Sequence, residues 1–199
     1  MQWAAGQLTG QRNYLDIEIV ARAWGSRARR DPGDIRYPPF TRPHYPVSMG
    51  ALKLEELSAK NAVAANNLSL KPGQEQFIAP VSYAMAGPFL DPNSGWSRVV
   101  TDEDDGVVGF IMANFDPDAL EDEFRSCIWR MNVDADAQGK GAGRFVVEAT
   151  AEEARKRGFD RLTVLWEPGD DSPEDFFLRV GFVVVGETPY GEKIGALAL

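Results

Sequence analysis

The stretch of sequence that decides the fold runs from Cys127 to Glu153 and reads CIWRMNVDADAQGKGAGRFVVEATAEE. It begins as an apolar strand, passes through a short acidic turn, and continues through QGKGAG into a helical pattern. The glycines of this loop let the backbone turn tightly and approach a ligand without interference from Cβ atoms. Where such a loop opens a helix, unpaired N–H groups converge at the positive end of the helix dipole. The stretch therefore predicts a site for a pyrophosphate group.

The spacing of the glycines decides which pyrophosphate ligand fits. A P-loop requires Ser or Thr directly after its lysine, and here Gly141 follows Lys140. A dinucleotide fold requires Gly-x-Gly-x-x-Gly early in the chain, with an acidic residue about 20 residues further on. This loop instead lies in the last third of the sequence and spaces its glycines two apart. Both of these nucleotide-binding motifs are therefore excluded.

The loop resembles the acetyl-CoA signature of the GNAT N-acetyltransferases, Gln/Arg-x-x-Gly-x-Gly/Ala. Gln138, Gly141 and Gly143 match this signature, and the usual valine five residues upstream is Val133. Two later pairs stand where the family has its fifth strand and the end of its last helix; they are Glu167-Pro168 and Gly181-Phe182. The resemblance covers residues 49–199.

This resemblance implies a mixed α/β fold, with a mostly antiparallel sheet of six or seven strands, splayed between strands 4 and 5 and flanked by about four helices. Hydrophobic periodicity and turn residues agree with that layout. The predicted strands are Ala51–Glu56, Arg98–Thr101, Val107–Phe115, Ile128–Val133, Leu162–Trp166, Phe182–Gly186 and Ile194–Leu199. The predicted helices run from a Ser58 cap to about Leu68, over Ile78–Ala86, over Gly141–Arg157, and from a Ser172 cap to Gly181.

Length and composition exclude several classes of protein. A chain of 199 residues forms one domain, or one domain with an appendage. No apolar run approaches the ~20 residues of a membrane helix, and the first residues lack the pattern of a signal peptide. Cys127 and His44 are the only residues of their kinds, which argues against disulfides, metal sites and a Ser-His-Asp triad. We therefore expect a cytoplasmic protein that uses no metal.

The net charge of −9 is unevenly spread. Residues 1–48 carry seven arginines against four acidic side chains, whereas the remainder is strongly acidic. An acidic body disfavours nucleic acid and anionic membranes and attracts cationic substrates, although the same charge also serves ordinary solubility. We expect a small-molecule amine as the partner, neither nucleic acid nor a membrane, and leave a homodimer open.

The first 48 residues differ in composition from the rest. Arginines cluster from Arg27 to Arg30, and five prolines follow from Pro32 to Pro46, a density that opposes both helix and sheet. We predict a basic, proline-rich, poorly ordered extension over residues 1–48 and an acetyltransferase domain over 49–199. Only Tyr14–Trp24 could form a short helix or strand. Met49 could be the true start, and a basic arm for an acidic partner is the alternative.

The resemblance implies that acetyl-CoA lies in the gap between the strands Ile128–Val133 and Leu162–Trp166. Met131 and Val133 would then supply backbone contacts to the pantetheine arm. The pyrophosphate would be held by the loop residues Gln138, Gly139, Lys140, Gly141, Ala142, Gly143 and Arg144. Phe177 would lie beside the cofactor, at the position where many members of the family have a tyrosine that protonates the departing thiolate.

Both of the family's usual catalytic groups are missing from this sequence. Many members have a glutamate base nine residues before the signature glutamine, and that position is Trp129 here; the tyrosine position is Phe177. Holding amine and thioester together still supplies much of the rate. Glu167, acting through water, is our candidate proton relay, with a surface carboxylate as the alternative. A covalent intermediate on Cys127 is disfavoured because a lone strand cysteine with no histidine near it is more often a core residue.

A second resemblance concerns the acceptor. The run from Pro72 to Pro80, together with Tyr83, Trp129-Arg130 and Trp166-Glu167-Pro168, is similar to the bacterial spermine/spermidine (diamine) acetyltransferases. In that branch, the loop between the first two helices covers the acceptor pocket. A polyamine would then be held by ion pairing and cation–π contact; the residues implied are Glu75, Phe77, Tyr83, Trp129, Trp166 and Glu167.

The sequence therefore predicts an acetyl-CoA-dependent N-acetyltransferase that acts on a small cationic amine, most simply a polyamine or diamine, by direct transfer in a ternary complex. Another amino compound or a protein amine is an alternative acceptor. The rival hypothesis is a non-catalytic acyl-CoA-binding domain with a sensing or scaffolding role, which the two missing catalytic groups favour.

Overall fold

The structure, a computed structural model, describes residues 51–78, 81–82 and 93–199. In this part of the chain, one sheet carries three α-helices and two short 3-10 helices. The strands are β1 (Lys53–Glu56), β2 (Gly95–Thr101), β3 (Val107–Phe115), β4 (Ser126–Val133), β5 (Arg161–Trp166), β6 (Val183–Glu187) and β7 (Lys193–Ala198). The α-helices are α1 (Ala62–Asn66), α2 (Ala142–Lys156) and α3 (Glu174–Arg179), and the 3-10 helices are Gln74–Gln76 and Asp122–Phe124.

The seven strands form a single sheet in the order β1-β2-β3-β4-β5-β7-β6. All neighbouring strands are antiparallel except β4 and β5, which run parallel because α2 connects them. This arrangement confirms the predicted mixed α/β fold with a mostly antiparallel sheet. No helix in the described ranges is both long and apolar enough to cross a membrane.

The helix predicted from Ser58 to Leu68 is shorter in the structure, where it spans Ala62–Asn66. Asn61, not Ser58, takes the cap position, and its side chain accepts the Ser58 N–H at 2.8 Å instead of capping the helix. The prediction of the Ser58 cap is therefore wrong, since the chain makes a turn there first. Of the predicted helix Ile78–Ala86, Val81 and Ser82 are helical.

Several predictions fall on residues outside the described ranges. They include the extension over 1–48, the acceptor residue Tyr83 and the end of the helix predicted over Ile78–Ala86. Those predictions stay untested.

Two hydrophobic clusters cover the two faces of the sheet. Alternate residues of β3 point to opposite faces: Ile111 belongs to the larger cluster and Phe110 to the smaller one. The larger cluster packs against the buried side of α2, where apolar residues recur every three to four positions. The smaller cluster packs under Ala65 of α1. We refer to these two sides as the α2 face and the α1 face.

Candidate active site

A β-bulge interrupts β4 at Trp129. In the pairing of β3 with β4, Met112 lies opposite Arg130 and Ala113 lies opposite Ile128, so Trp129 is the extra residue. A bulge bends its strand and increases the local twist. The bulge therefore turns the second half of β4 away from the line of its first half.

Just past the bulge, β4 and β5 separate. Their parallel pairing consists of Cys127 with Thr163 and Ile128 with Val164, although β4 continues to Val133 and β5 to Trp166. The C-terminal half of β4 therefore has no β5 partner on that side. This is the splay that the sequence predicts between strands 4 and 5, and it leaves a gap with open backbone groups along β4.

The glycine-rich loop lies at the end of β4 that borders this gap. Gly139 and Gly141 have φ angles of +78° and +101°, a left-handed conformation that L side chains rarely adopt. Gly143 leaves room for a neighbouring ring, because a Cβ there would lie 3.0 Å from the ring of Phe176. Val133, Ala137 and Ala142 form a small apolar cluster beneath the loop.

The N-terminus of α2 is open to an anionic ligand. Gly141 is its N-cap, and no side chain in the described part of the chain caps the helix. Its first turn contains no acidic residue but does contain Arg144, a cation at the positive end of the dipole. Lys140 lies exposed directly before it. A bound pyrophosphate would pair with the uncapped N–H groups and with both cations.

The side chain of Gln138 points back into the protein. Its Nε2 donates to the Val133 carbonyl at 3.1 Å and to Oε1 of Gln74 at 2.7 Å. Gln74 returns the contact, since its own Nε2 donates to Oε1 of Gln138 at 3.1 Å. The sequence did not predict Gln74 as a site residue, although Gln74 lies in the run from Pro72 to Pro80 that carries the second resemblance.

A second contact joins the same two segments. Asp134 Oδ2 accepts the N–H of Ser69 at 3.0 Å and its hydroxyl at 2.9 Å, and the Ala135 N–H donates to the Ser69 carbonyl. Partial burial alone would raise the pKa of Asp134, but the hydrogen bonds from Ser69 and from the Asp136 N–H outweigh it and lower the pKa below its ordinary value. The carboxylate thus fastens the segment before Gln74 to the end of β4.

The segment Gly73–Phe77 also reaches the loop after β5. A Cβ added to Gly169 would lie 3.2 Å from Cζ of Phe77, and one added to Gly73 would lie 3.3 Å from Oδ2 of Asp171. Because Gln74 contacts the glycine-rich loop, this acceptor-side loop (residues 71–77) touches both segments that border the gap. Glu75 and Glu167 are exposed on the two loops that meet here.

The structure does not bring Trp129 and Trp166 together. Trp129 is partly buried and packs with the cluster on the α1 face. Trp166 is 3% exposed, belongs to the α2-face cluster, and donates from its indole nitrogen to Glu174 at 3.0 Å. Its ring also occupies the space that a Cβ at Gly195 would need. Trp166 is therefore a core residue in this structure, and a role in acceptor binding stays a prediction.

Trp129 differs from Trp166 in its hydrogen bonding. Its indole Nε1 is buried and finds no hydrogen-bond partner among the described residues. A buried donor without a partner is costly, so the described residues leave this group unsatisfied.

Phe177 lies in the core beside Trp166. It is 5% exposed and stacks on the Trp166 ring, with centroids 5.4 Å apart and an interplanar angle of 22°. Phe176 and Phe182 both contact it edge-on. Within this group of rings, Phe177 has packing partners that account for its burial without a cofactor. Its predicted contact with acetyl-CoA stays a prediction.

Cys127 does not offer a nucleophile. Its side chain is buried, and burial raises the pKa of the thiol to about 12, so the thiolate is scarce at neutral pH. Within the described residues, no group of three or more His, Cys, Asp or Glu side chains could hold a metal ion. An open depression of about 620 Å³ lies elsewhere, at the β1 edge beside Glu55 and Asp105, and contains none of the predicted site residues.

The sequence profile of the acetyltransferase (GNAT) family matches residues 63–182. The chain belongs to this family. Its residues from β4 to α3, including the glycine-rich loop and the gap, all fall within the matched range. Acetyl-CoA is the cosubstrate that GNAT enzymes generally use, and the predicted class of enzyme, an N-acetyltransferase, is thereby confirmed.

Solved structures of other acetyltransferases share the fold. The ribosomal-protein-S18-alanine N-acetyltransferase from Escherichia coli is 19% identical, over 74% of this chain and 94% of that chain, with a TM-score of 0.54. An acetyltransferase from Thermus thermophilus is 21% identical over 74% and 97%, with a TM-score of 0.52. Nourseothricin acetyltransferase is 19% identical over 74% and 98%, with a TM-score of 0.52. No curated protein matches the chain.

Proposed function

We propose that this GNAT protein transfers the acetyl group of acetyl-CoA to a small cationic amine, with a polyamine or diamine as the first candidate, by direct transfer in a ternary complex. The observation that carries the proposal is the uncapped, glycine-opened N-terminus of α2 at the mouth of the gap between β4 and β5. An anion site and an unpaired strand edge at one place fit a ligand that has a pyrophosphate and an amide-bearing arm.

Different residues at the gap would bind different parts of acetyl-CoA. The N–H groups from Gly139 to Arg144 would hold the pyrophosphate, with Lys140 adding charge. The backbone of Met131 and Val133, which has no β5 partner, would pair with the pantetheine arm as an added strand. When bound, acetyl-CoA supplies an activated thioester. The protein's own residues then have to orient the amine and accept its proton.

The acceptor would approach beside the loops that meet at Phe77 and Gly169. Glu75 and Glu167 place two carboxylates on those loops, which favours a cationic amine electrostatically. Glu167, exposed directly after β5, is the candidate that takes up the proton of the amine through water. Its role rests on this position alone, since the usual glutamate position is Trp129 and the usual tyrosine position is Phe177.

A second acceptor class is favoured by one specific observation. The buried Nε1 of Trp129 needs a hydrogen-bond acceptor, and a protonated polyamine offers only donors. An amino compound that carries a hydroxyl or carbonyl oxygen near its amine would satisfy this indole. The names of the solved structures are compatible with varied acceptors, since one acts on a ribosomal protein's alanine and another on nourseothricin.

A thiol-release assay with acetyl-CoA tests the proposal on a panel of amines. The panel pairs spermidine and putrescine with ethanolamine, an amino-acid amide and a short peptide. We expect the highest kcat/KM for spermidine or putrescine. Higher kcat/KM for ethanolamine or the amide would favour the oxygen-bearing class. Thiol release from none of them, with acetyl-CoA binding intact by calorimetry, would favour the non-catalytic acyl-CoA-binding domain.

A cytoplasmic location, the lack of nucleic-acid, membrane and metal partners, and a homodimer stay predictions from the sequence. Gel filtration with light scattering checks the last of these.

A further inference from the structure

The acceptor-side loop and the glycine-rich loop are joined by a reciprocal pair of amides. Gln74 and Gln138 each donate one hydrogen bond to the other, at 3.1 Å and 2.7 Å. The two residues lie 64 positions apart in the chain. A reciprocal amide pair fixes the mutual position and orientation of both side chains, unlike a single hydrogen bond to a flexible group.

Each amide of the pair is also fastened to its own segment. Gln138 Nε2 donates to the carbonyl of Val133, the last residue of β4. Gln74 Oε1 accepts the N–H of Lys71 at 3.1 Å, which closes the turn before the 3-10 helix. The pair therefore connects the end of β4 to the turn at Lys71, and a movement of one loop is transmitted to the other.

The two joined loops face different ligands under the proposed function. The glycine-rich loop would hold the pyrophosphate of acetyl-CoA, whereas the acceptor-side loop carries Glu75 and packs Phe77 against Gly169. Gln74 belongs to the acceptor-side loop, directly before Glu75, and contacts the glycine-rich loop through the Gln138 side chain. Its amide is thus placed to orient the loop rather than to bind a reacting group.

We propose that Gln74 is a positioning residue that holds the glycine-rich loop and the acceptor-side loop in one arrangement, so that binding of acetyl-CoA and binding of the amine favour each other. This inference rests on the proposed function. Coupling between two sites is reciprocal for binding free energies. Occupation of the pyrophosphate site would restrain Gln138, and through Gln74 it would restrain the loop that covers the acceptor.

Calorimetry of acetyl-CoA binding to the full chain and to Gln74→Ala tests the inference. We expect Gln74→Ala to weaken acetyl-CoA binding about 5- to 20-fold, within the range typical of coupled sites. Gln76→Ala is the matched control, since Gln76 lies exposed in the same 3-10 helix and should change the affinity by less than about twofold. Gln74→Glu, which still accepts from Gln138 and Lys71 but no longer donates, should give an intermediate affinity.

A double-mutant cycle separates positioning from general loss of structure. Gln74→Ala and Gln138→Ala combined should weaken acetyl-CoA binding by clearly less than the two single effects added together, because both variants remove the amide pair. A purely structural role would lower the melting temperature of Gln74→Ala and leave its acetyl-CoA affinity at the wild-type value. That result, or fully additive effects in the cycle, would overturn the inference.

Hydrogen exchange on the unaltered chain gives a readout that needs no variant. The N–H groups of Gln74 and Phe77 are hydrogen-bonded within the acceptor-side loop, and acetyl-CoA should slow their exchange at least about threefold. Unchanged exchange there, with acetyl-CoA bound, would overturn the coupling. Failure of the wild-type chain to bind acetyl-CoA would overturn this inference and the proposed function together. Binding without thiol release from any amine would overturn only the catalytic proposal, since these binding measurements do not require turnover.

Discussion

The glycine-rich loop and the acceptor-side loop border the same gap but are fixed by different means. The first is continuous in sequence with β4 and α2, and its shape follows from the left-handed glycines at 139 and 141. The second is held by partners far along the chain, at Gln138 and in the loop containing Gly169. A loop whose shape is set by its own residues keeps that shape when other segments change. A loop that is held by contacts with distant residues depends on each of those contacts. The glycine-rich loop should therefore respond to backbone substitutions, and the acceptor-side loop to the loss of single side-chain contacts.

The largest effect is expected for Gly141→Val. A branched side chain at φ +101° is strained and would stand among the N–H groups that hold the pyrophosphate. We expect acetyl-CoA affinity to fall ~100-fold or more, equivalent to about 2.8 kcal/mol, as measured by calorimetry. Gly158→Val is the matched control, because Gly158 has φ +85° and open space around it but lies at the other end of α2. Similar affinities for the two variants would mean that the loop at 141 is only a turn.

Phe177→Tyr tests whether the acetyl-CoA site extends as far as the aromatic rings around Phe177. The added hydroxyl would enter a group of rings formed with Trp166, Phe176 and Phe182. We expect a loss of ~1–3 kcal/mol in the free energy of unfolding, because the hydroxyl is buried without a partner, as measured by urea denaturation. Phe176→Tyr, on a half-buried ring of the same helix, should cost less. An unchanged stability together with faster turnover would show instead that the para position opens towards the sulfur of the cofactor.

Trp129→Phe tests the acceptor side of the gap without changing the glycine-rich loop. It keeps a smaller ring in the α1-face cluster and removes the indole donor that has no partner among the described residues. We expect acetyl-CoA affinity to stay within about twofold, while the KM of an oxygen-bearing acceptor rises roughly 3- to 10-fold through the lost hydrogen bond. Steady-state kinetics with ethanolamine and putrescine measure this. A KM that rises equally for both amines would show that the indole packs against the acceptor and does not bind an oxygen.

The smallest effect is expected for Asp134→Asn, and this effect on stability depends on pH. The carboxylate has a pKa below its ordinary value of 3.8, so its contribution to stability is present above that value and is lost as the pH falls through the lower pKa of the folded state. We expect Asp134→Asn to be ~1 kcal/mol less stable than the wild type at pH 7, with a difference that shrinks below pH 3.8. Urea denaturation across this range checks it, with Asp136→Asn as the control in the same turn. A difference that does not change with pH would show that the amide disturbs the turn itself.

The sequence predicted the features that depend on residues close together along the chain, and it missed those that depend on contacts between distant residues. Strand alternation, the helix of residues 142–156 and the glycine-rich loop depend on residues close in sequence, and their predictions agree with the structure within a few residues. Gln74 could not be predicted, because an amide pair across 64 positions has no characteristic spacing. The sequence also placed Trp129 and Trp166 in one acceptor site. The structure puts them on opposite faces of the sheet, since Ile128 lies opposite Val164 and Trp129 is therefore out of phase with Trp166. This register joins two strands that are distant in sequence, and it leaves no local signal.

The extra residue in β4 acts as a phase shift in the alternation of the strand. Ile128 and Met131 both pack with the α2-face cluster although three positions separate them, which an unbroken strand would not allow. Removing Trp129 would leave Ile128 opposite Ala113 and Arg130 opposite Met112, so the ladder with β3 would become continuous and the other side chains of β4 would keep their faces. The bend that a bulge gives its strand would be lost. The number of residues in β4, rather than the identity of any of them, thus sets whether the strand bends away from β5 before it reaches the glycine-rich loop.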